Sequence, residues 1–320
     1  IARRIRRTGI IIVLEPDVNL LVSVLSRVDC SQWLAEANVL IVTEPDDRVG
    51  LVQRLKGMET ILMLGMRILE HPPSAARLAS VAAPFGRMLA EIAASARMTV
   101  VTTLGRSDET VANMLWNIDH YALGAGIDTL QGAAQGRLGV VVSAGPSLRR
   151  NMHLLTQPGV REQCVIVATQ TTLRPLLDAG VAPHLVTALD YHEISSRFYE
   201  GITAADVADT ELVIDPKVNP AVPDAWPGRL RSIRSSALDR FLGVAPLEDG
   251  QLESCATVAH LAYALARHLG CDPVALIGQD LGFTDGLYYA PGTAIHDVWL
   301  PELNAFNTIE TMEWERIVRH

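Results

Sequence analysis

Short apolar runs recur along the chain and alternate with longer segments in which apolar residues return at helical spacing. The runs most typical of strands are residues 10–14, 39–42, 138–142, 164–168, 185–189, 212–214 and 274–277. They are too short for helices and are bounded by Gly, Pro or polar residues, as buried strands are. Strands that alternate with helices predict a parallel sheet. We therefore expect an α/β protein with a Rossmann-like, mostly parallel sheet at its core and a smaller α/β domain at the N-terminus.

The best-defined helix is predicted before the last strand. Ser254 suits its N-cap position, and Gly270 suits the turn that ends it. Its apolar face comprises Val258, Leu261, Ala262, Leu265 and Leu269. Helical spacing also predicts helices over residues 74–96, with a break at Pro84, and over residues 108–121.

A Gly/Ala-rich stretch, residues 124–136, offers few large side chains for packing and predicts a linker between domains. We expect an N-terminal α/β domain with a helical bridge over residues 1–120 and a Rossmann-like domain over residues 121–302. Residues 303–320 are expected to begin a truncated C-terminal helical region. A chain of 320 residues is long enough for two compact domains.

Composition argues against several classes of protein and of site. The net charge of −9 argues against a nucleic-acid binder, because neutralising many phosphates takes a basic face. The four cysteines have no paired spacing typical of metal or redox sites, so we expect reduced thiols. No uninterrupted apolar run is long enough to predict a membrane span. The chain starts at Ile1 without a signal-like segment, and we expect a piece of a longer cytoplasmic protein.

The turn after residues 138–142 is the strongest candidate for a binding site. In an open parallel sheet, ligands bind beyond the carboxyl ends of the strands. Here Gly145 lets the backbone approach a ligand, Pro146 suits the first positions of a helix, and the N–H groups near Ser147 can meet a phosphate. Ser143 lies in the same turn. Turns of this kind also use Gly and Ser for geometry and capping alone, which leaves a purely structural interpretation open.

Other strand ends and one helix start supply further candidates at the same edge. Polar or small residues follow the later strands at Thr169, Asp190, Gly278, Gln279 and Asp280. A carboxylate at a strand end suits a ribose hydroxyl or a metal ion, and equally the capping of the next turn. Ser254 and Thr257 lie where the predicted helix starts, so that its free N–H groups suit a phosphate.

The loop over residues 283–292 contains two adjacent tyrosines, Tyr288 and Tyr289. A tyrosine hydroxyl can donate to the oxygen of a departing phosphate and stabilise its charge, although both side chains can instead serve packing. His296 follows this loop and is the nearest candidate for carrying a proton. The chain has no P-loop, no Gly-x-Ser-x-Gly elbow and no His-Glu-x-x-His motif, which argues against the enzymes that use them.

Three blocks of sequence together resemble one family. They are Gly145-Pro146-Ser147-Leu148, then Ala188-Leu189-Asp190-Tyr191 with residues 197–201, and Gly278-Gln279-Asp280-Leu281 with residues 284–286. In type and order they are similar to the motility-associated-factor (Maf) flagellin glycosyltransferases, which are grouped with the archaeal MptE-like 6-hydroxymethylpterin diphosphokinases. The resemblance covers residues 139–292 and is loose over residues 1–120.

The resemblance implies a sialyltransferase-like core and a CMP-activated sugar as substrate, without a tightly bound cofactor. The Maf branch transfers nonulosonic, sialic-acid-like sugars from CMP to Ser or Thr of flagellin, so the implied partners are this donor and an acceptor protein. By motif, the resemblance places Gly145, Pro146 and Ser147 in the nucleotide-binding turn, Ser254 at the helix start and Tyr288 where a phosphate-binding tyrosine lies. Together with the candidates found from strand ends and loops, we expect Tyr288, Tyr289 and His296 to be catalytic. The expected nucleotide-binding residues are Ser143, Gly145, Pro146, Ser147, Thr169, Asp190, Ser254, Thr257, Gly278, Gln279 and Asp280. Two features depart from the family pattern: Ser143-Ala144 replaces a Gly and its neighbour, and Cys255 replaces the Gly after the helix-start Ser.

Two alternatives remain open. The other branch of the family transfers pyrophosphate from ATP to a pterin alcohol and would need Mg²⁺ held by carboxylates such as Asp190, Asp280 and Asp285. No lysine lies near the crevice turns to meet a γ-phosphate, which counts against this branch, and no metal is expected in the first interpretation. The third possibility is a nucleotide-binding scaffold without catalysis.

Overall fold

The computed structural model describes residues 2–5, 7–246, 248–252, 255, 257–297 and 299–315. It consists of two compact units, Ile1–Ser107 and Asp108–His320.

The first unit contains two parallel strands, β1 (Ile10–Leu14) and β2 (Asn38–Val42), in register from Ile10 opposite Asn38 to Leu14 opposite Val42. Its helices are α1 (Ala2–Ile5), α2 (Val18–Leu25), α3 (Ser31–Glu36), α4 (Arg48–Leu55), α5 (Glu59–Met63) and α6 (Pro72–Gly105). The core of the unit lies between β2, α4, α5 and the apolar face of α6.

Helix α6 continues through Pro84, so the predicted break there is wrong. An internal proline removes a backbone hydrogen bond and disfavours the preceding turn. Here Phe85, Leu89 and Ile92 bury one continuous face of the helix in the core of the unit, which offsets that cost.

Within the described ranges, the second unit contains a seven-stranded, fully parallel sheet in the order β3-β8-β7-β6-β5-β4-β9. The strands are β3 (Ala125–Gly126), β4 (Leu138–Val142), β5 (Cys164–Thr169), β6 (Leu185–Ala188), β7 (Glu211–Ile214), β8 (Arg229–Ser232) and β9 (Val274–Ile277). The α-helices are α7 (Ser107–Trp116), α8 (Ile118–Leu123), α9 (Leu148–Leu155), α10 (Val160–Gln163), α11 (Leu173–Asp178), α12 (Ala221–Ala225), α13 (Ser236–Leu242), α14 (Val258–His268), α15 (Ala294–Asp297) and α16 (Ile309–Glu313). Short 3₁₀ segments include Gln170–Thr172, Glu193–Tyr199 and Thr284–Gly286.

Both faces of the central strands β4, β5, β6 and β7 are buried. Val140 and Val142 of β4 pack into a core with α9, while Val141 packs into a second core that contains the apolar face of α14. Because alternate side chains enter two different cores, the central strands are apolar at nearly every position. The predicted fold class, a Rossmann-like α/β protein with a smaller α/β unit before it, is confirmed.

The Gly/Ala-rich stretch is folded, and its interpretation as a linker is wrong. It contains β3, and Ile127 is completely buried. The N–H groups of Gly132, Ala134 and Gly136 donate to the carbonyl groups of the residues that end α14, His268, Leu269 and Gly270. The small residues of this stretch allow its backbone to pack closely against the end of α14.

Helix α14 begins later than the sequence suggested. Its N-cap is Thr257, whose hydroxyl oxygen accepts the His260 N–H at 3.2 Å. Ser254, the predicted cap, lies outside the described residues. The helix ends as predicted, because Gly270 has a positive φ of 82° and its N–H donates to the Arg267 carbonyl group.

None of the helices in the described part of the chain combines the length and the apolar character that crossing a bilayer requires.

Candidate functional site at the carboxyl end of the sheet

The strand order reverses between β4 and β9. From β4 the sheet grows through β5, β6, β7 and β8 in one direction, and β9 then returns to pair with the other side of β4. In open α/β sheets the crevice at such a reversal is the usual ligand site. The turns that follow β4 and β9 meet there, since the N–H groups of Ser143 and Gly145 donate to the carbonyl groups of Ile277 and Gly278 at 2.9 and 2.7 Å.

Gly145 is required by the close approach of these two turns. A Cβ atom at this position would overlap the Asp280 carboxylate and would lie 2.5 Å from the Gly278 carbonyl oxygen. Gly278 is equally confined: its φ is +67°, and a Cβ atom there would overlap the Ser143 carbonyl oxygen. The two glycines predicted as ligand contacts therefore have a structural function in closing the crevice.

Asp280 holds the start of α9. Its carboxylate accepts hydrogen bonds from the Ser147 hydroxyl at 2.8 Å, from the Ser147 N–H at 3.2 Å and from the Thr284 hydroxyl. Burial alone would raise the pKa of Asp280, but these hydrogen bonds and the charge of Arg150 outweigh burial and hold that pKa below its ordinary value. Both donors of Ser147 are therefore engaged, and a phosphate at this turn would have to share or displace the carboxylate.

The tyrosine loop, residues 283–292, lies against the same turn. The Ala290 N–H donates to the Ala144 carbonyl oxygen at 2.7 Å, which brings this loop and the β4 turn to one edge of the sheet. The loop is also tied to α9, because Asp285 forms ion pairs with Arg149 and with Arg150, the latter at 3.1 Å.

The two tyrosines of the loop are in contact and differ in exposure. Their ring centroids are 4.4 Å apart, and Tyr288 is 39% exposed while Tyr289 is half-buried. Burial, together with the neighbouring Tyr288 and the charge of Asp190, raises the pKa of Tyr289. Its hydroxyl group is therefore protonated at neutral pH and able to donate a hydrogen bond.

Asp190 follows β6 and is part of a buried polar network. Its Oδ2 atom accepts hydrogen bonds from the Gln170 side-chain amide and from the Ser195 hydroxyl, the latter at 3.4 Å. The buried Tyr199 hydroxyl donates to the Gln170 amide oxygen at 3.1 Å. Burial raises the pKa of Asp190, against the opposing effect of these hydrogen bonds and of His192.

Sequence reasoning missed most of this network. Gln170 follows Thr169 directly at the end of β5, so its position at a strand end was the available signal. Ser195 and Tyr199 lie in a 3₁₀ segment without a periodic pattern, and only the family block around residues 197–201 pointed toward them. Thr169 itself is buried, with its hydroxyl group 3.4 Å from that of Thr172.

The remaining candidates are distributed around this edge. Ser143 is 5% exposed, and its hydroxyl group has no hydrogen-bond partner among the residues that the structure describes. Gln279 is partly exposed beside Asp280, with Pro146 in the opposite turn. His296 lies in α15, is 3% exposed, and has its ring centroid 5.7 Å from that of Trp299.

The start of α14 lies at the same edge. The Thr187 hydroxyl group, in β6, donates to the carbonyl oxygen of Val258, the first residue of the helix, at 3.4 Å. This contact brings Thr257, the N-cap, to the end of the strand that Asp190 follows.

The three carboxylates of the magnesium alternative are not brought together. Asp190 is bound by Gln170 and Ser195, Asp280 by Ser147 and Thr284, and Asp285 by two arginines. Over the described residues, no group of three or more His, Cys, Asp or Glu side chains is placed to hold a metal ion. In the described residues, these side chains therefore do not form one shared three-carboxylate site.

The parallel sheet, its strand reversal and the crevice at that reversal define a Rossmann-like α/β protein. Residues 112–286 match the family described as 6-hydroxymethylpterin diphosphokinase MptE-like, and the chain belongs to this family. The family resemblance expected from the three sequence blocks is thus confirmed.

Among solved structures, the chain is similar to the MAf glycosyltransferase from Magnetospirillum magneticum AMB-1, with a TM-score of 0.55 and 20% sequence identity. The similarity covers 86% of this chain and 43% of the other, so this chain spans less than half of that protein's length. At this identity the comparison shows a shared fold. No curated protein matches the chain.

Proposed function

We propose that the chain is the nucleotide-sugar-binding part of a glycosyltransferase. In this proposal it moves a nonulosonic, sialic-acid-like sugar from a CMP-activated donor to Ser or Thr of an acceptor protein such as flagellin. The observation that carries the proposal is the crevice between β4 and β9, which the tyrosine loop borders through its bond from Ala290 to Ala144. The fold shared with the MAf glycosyltransferase over 86% of this chain supports it, because that similarity extends beyond the residues that match the family.

The leaving group sets the chemical requirement. When the bond between sugar and CMP breaks, negative charge develops on the phosphate, and fixed hydrogen-bond donors stabilise that charge. Tyr288 and Tyr289 are the donors that we assign, since the Tyr289 hydroxyl stays protonated and Tyr288 is exposed beside it. Removing one donor of this kind typically lowers the rate by about 10²–10³-fold.

The nucleotide itself would lie over the ends of β4, β5 and β9. Its contacts in this proposal are Ser143, Gly145, Pro146, Ser147, Thr169, Gly278, Gln279 and Asp280, with Thr257 at the start of α14. The further contact predicted from the sequence, Ser254, lies outside the described residues. The Ser143 hydroxyl group, which has no partner among the described residues, supports a polar ligand at this edge. Because Asp280 engages both donors of Ser147, we expect the phosphate to bind nearer to the tyrosines and the start of α14.

The cysteines favour a reducing compartment. In the part of the chain that the structure describes, none of the four is in a disulfide, and disulfides are rare in reducing compartments. We therefore assign the reaction to the cytoplasm.

A second candidate is transfer of pyrophosphate from ATP to a pterin alcohol, which the description of the matching family favours. The carboxylates at this edge do not form a three-ligand metal group in the described residues, so Mg²⁺ would be held by one or two of them together with the phosphates of ATP.

Thermal unfolding in the presence of nucleotides distinguishes the two candidate activities from each other and, with an assay of CMP release, from a non-catalytic scaffold. CMP without added metal should raise the unfolding midpoint, since ligand at about 100 times its Kd stabilises a protein by about 2.7 kcal/mol. CMP-N-acetylneuraminic acid should also release CMP when incubated with the chain. A midpoint that rises with ATP and Mg²⁺ but not with CMP would instead support the diphosphokinase. Binding of CMP without turnover of the donor would support a non-catalytic scaffold, and no response to either nucleotide would refute all three.

A further inference from the structure

We propose that Asp190 is the general base that removes the proton from the hydroxyl group attacking the sugar. This assignment rests on the proposed glycosyl transfer and gives Asp190 a different role from the nucleotide contact predicted from the sequence. It comes from the way in which the carboxylate is held.

One carboxylate oxygen is fixed and the other is available. The hydrogen bonds from Gln170 and Ser195 both end on Oδ2, and within the described part of the chain Oδ1 accepts none. Gln170 is itself completely buried and held by the buried Tyr199. The hydrogen bonds to Oδ2 thus fix the orientation of the carboxylate. The Asp190 side chain is only half-buried and can be reached by a ligand.

Asp190 lies at the same edge of the sheet as the group assigned to the leaving phosphate. Asp190 follows β6, and the N–H group of Ala290, the residue after Tyr289, donates to the Ala144 carbonyl oxygen in the turn after β4. Because β4, β5 and β6 are neighbouring parallel strands, a base and a phosphate donor both lie beyond the carboxyl ends of this part of the sheet. Transfer at an anomeric carbon needs this pair of functions, one for the incoming hydroxyl group and one for the outgoing phosphate.

The step balances without a metal ion or a redox partner. The proton of the attacking hydroxyl passes to Oδ1 of Asp190 as the hydroxyl oxygen forms a bond to the anomeric carbon. The bond from that carbon to the CMP phosphate oxygen breaks, and its electron pair stays on the phosphate, which accepts hydrogen bonds from the tyrosines. Asp190 then returns the proton to water.

The surroundings of Asp190 suit a base. Among the described residues, Gln170 and Ser195 donate hydrogen bonds to Asp190, the charge of His192 in the following turn lowers its pKa, and the charge of Asp190 raises the pKa of Tyr199 and of Tyr289. Burial raises the pKa of Asp190 and makes the ionised carboxylate more basic than an exposed one. A base becomes more effective as its pKa approaches the working pH.

The test uses the full chain and CMP-N-acetylneuraminic acid, with water as the acceptor and CMP release as the readout. A general base contributes about 10²–10⁴-fold, so Asp190→Asn should lower kcat by about that factor. The donor KM and the Kd for CMP should change by less than about threefold, and the acidic limb of the wild-type pH profile should disappear. Asp209→Asn is the matched control, because Asp209 is exposed before β7, at the opposite end of the sheet.

Sodium azide supplies the second measurement. Azide attacks without losing a proton, so it should restore CMP release by Asp190→Ala while adding little to the wild type. CMP release by Asp190→Asn within about threefold of wild type, or a loss in Asp190→Ala that azide does not relieve, would overturn the assignment alone. A wild-type chain that neither binds CMP nor releases it from the donor would overturn the proposed function, and this assignment with it.

Discussion

Asp280 accepts two hydrogen bonds from Ser147, one from the hydroxyl group at 2.8 Å and one from the backbone N–H at 3.2 Å. The protein's own carboxylate thus occupies the start of α9, where a negative charge is favourable because helix N–H groups lack partners there. The pair joins the two turns that form the crevice. It also means that this crevice is held in shape before any ligand binds.

Gly145→Ala should destabilise the second unit. The added methyl group would overlap Asp280 and press against the Gly278 carbonyl group, and overpacking of this kind costs about 1–3 kcal/mol. Urea unfolding would measure the change. Gly282→Ala is the control in the neighbouring loop, since its nearest atom, the Asp280 carbonyl oxygen, would be 3.9 Å away. Equal stability of the two variants would contradict the close approach described for Gly145.

Ser143→Ala should weaken CMP binding without lowering the stability of the free protein. The Ser143 hydroxyl is buried without a described partner, and such a group costs about 1–3 kcal/mol, so its removal should leave the free protein equally stable or more so. Loss of the ligand's hydrogen bond should weaken CMP binding by about 5–10-fold, measured by calorimetry.

The control for Ser143→Ala is Thr210→Val. The Thr210 hydroxyl is buried and donates to the Pro183 carbonyl group at 2.6 Å. This variant should lose about 1 kcal/mol of stability and bind CMP normally. A Ser143→Ala variant that loses stability and keeps its CMP affinity would assign the hydroxyl group to the fold rather than to the ligand.

Tyr121→Phe should be strongly destabilising. The Tyr121 hydroxyl donates to the Asp239 carboxylate at 2.5 Å and accepts the Ser235 N–H at 2.9 Å, and both Tyr121 and Asp239 are almost completely buried. Phenylalanine would leave both groups without this partner, at a cost of about 1–3 kcal/mol in thermal or urea unfolding. Tyr263→Phe, at a half-exposed position on α14, should change stability little. Similar losses in both variants would argue against a special role for the Tyr121 hydroxyl.

His184 should make stability depend on pH below neutrality. Its Nδ1 atom accepts the Ile166 N–H at 3.1 Å, and burial, with the charges of Arg161 and Arg137, lowers its pKa from 6.5 to about 4. As pH falls from 6.5 toward 4, the unfolded chain binds a proton that the folded chain does not, so the free energy of unfolding decreases. Above 6.5 the contribution of this residue is fully present.

Urea unfolding between pH 4 and 7 checks this, with the range taken from the lowered and ordinary pKa values. His184→Asn should reduce the slope over that range, while a substitution at the exposed His153 should keep the wild-type slope. An unchanged slope in His184→Asn would locate the titrating group elsewhere.

The central strands and their ends could be predicted from sequence because burial on both faces leaves a plain signal. Residues 138–142 match β4, and residues 164–168 lie within the fully buried β5. Residues 274–277 match the edge strand β9, where Ala275 and Leu276 are exposed and the signal is the apolar run itself. Strand β8 could not be found in this way, because Arg229 and Arg231 alternate with the other residues and contact Glu211 in the neighbouring strand. Its strand conformation depends on a partner that is distant in sequence.

The candidate site was predictable as a set of strand ends but not as a set of contacts. The position of Asp190 follows from β6 alone, whereas the orientation of its carboxylate depends on Gln170 and Tyr199, which come from other segments. Likewise, the sequence offers Ser147 as a phosphate contact, and only the pairing of β9 with β4 brings Asp280 to its hydroxyl group and N–H. Contacts between residues that are distant in sequence produce no periodic pattern of apolar and polar positions, so such a pattern cannot predict them.

The return of β9 to the side of β4 also matters while the polypeptide is being synthesised. Ser147 leaves the ribosome 133 residues ahead of Asp280, so its hydroxyl and N–H groups lack this carboxylate partner throughout that interval. No nascent chain that stops short of β9 can possess the finished crevice, and a truncation before residue 274 should yield a protein whose other strands pair but whose ligand edge stays open.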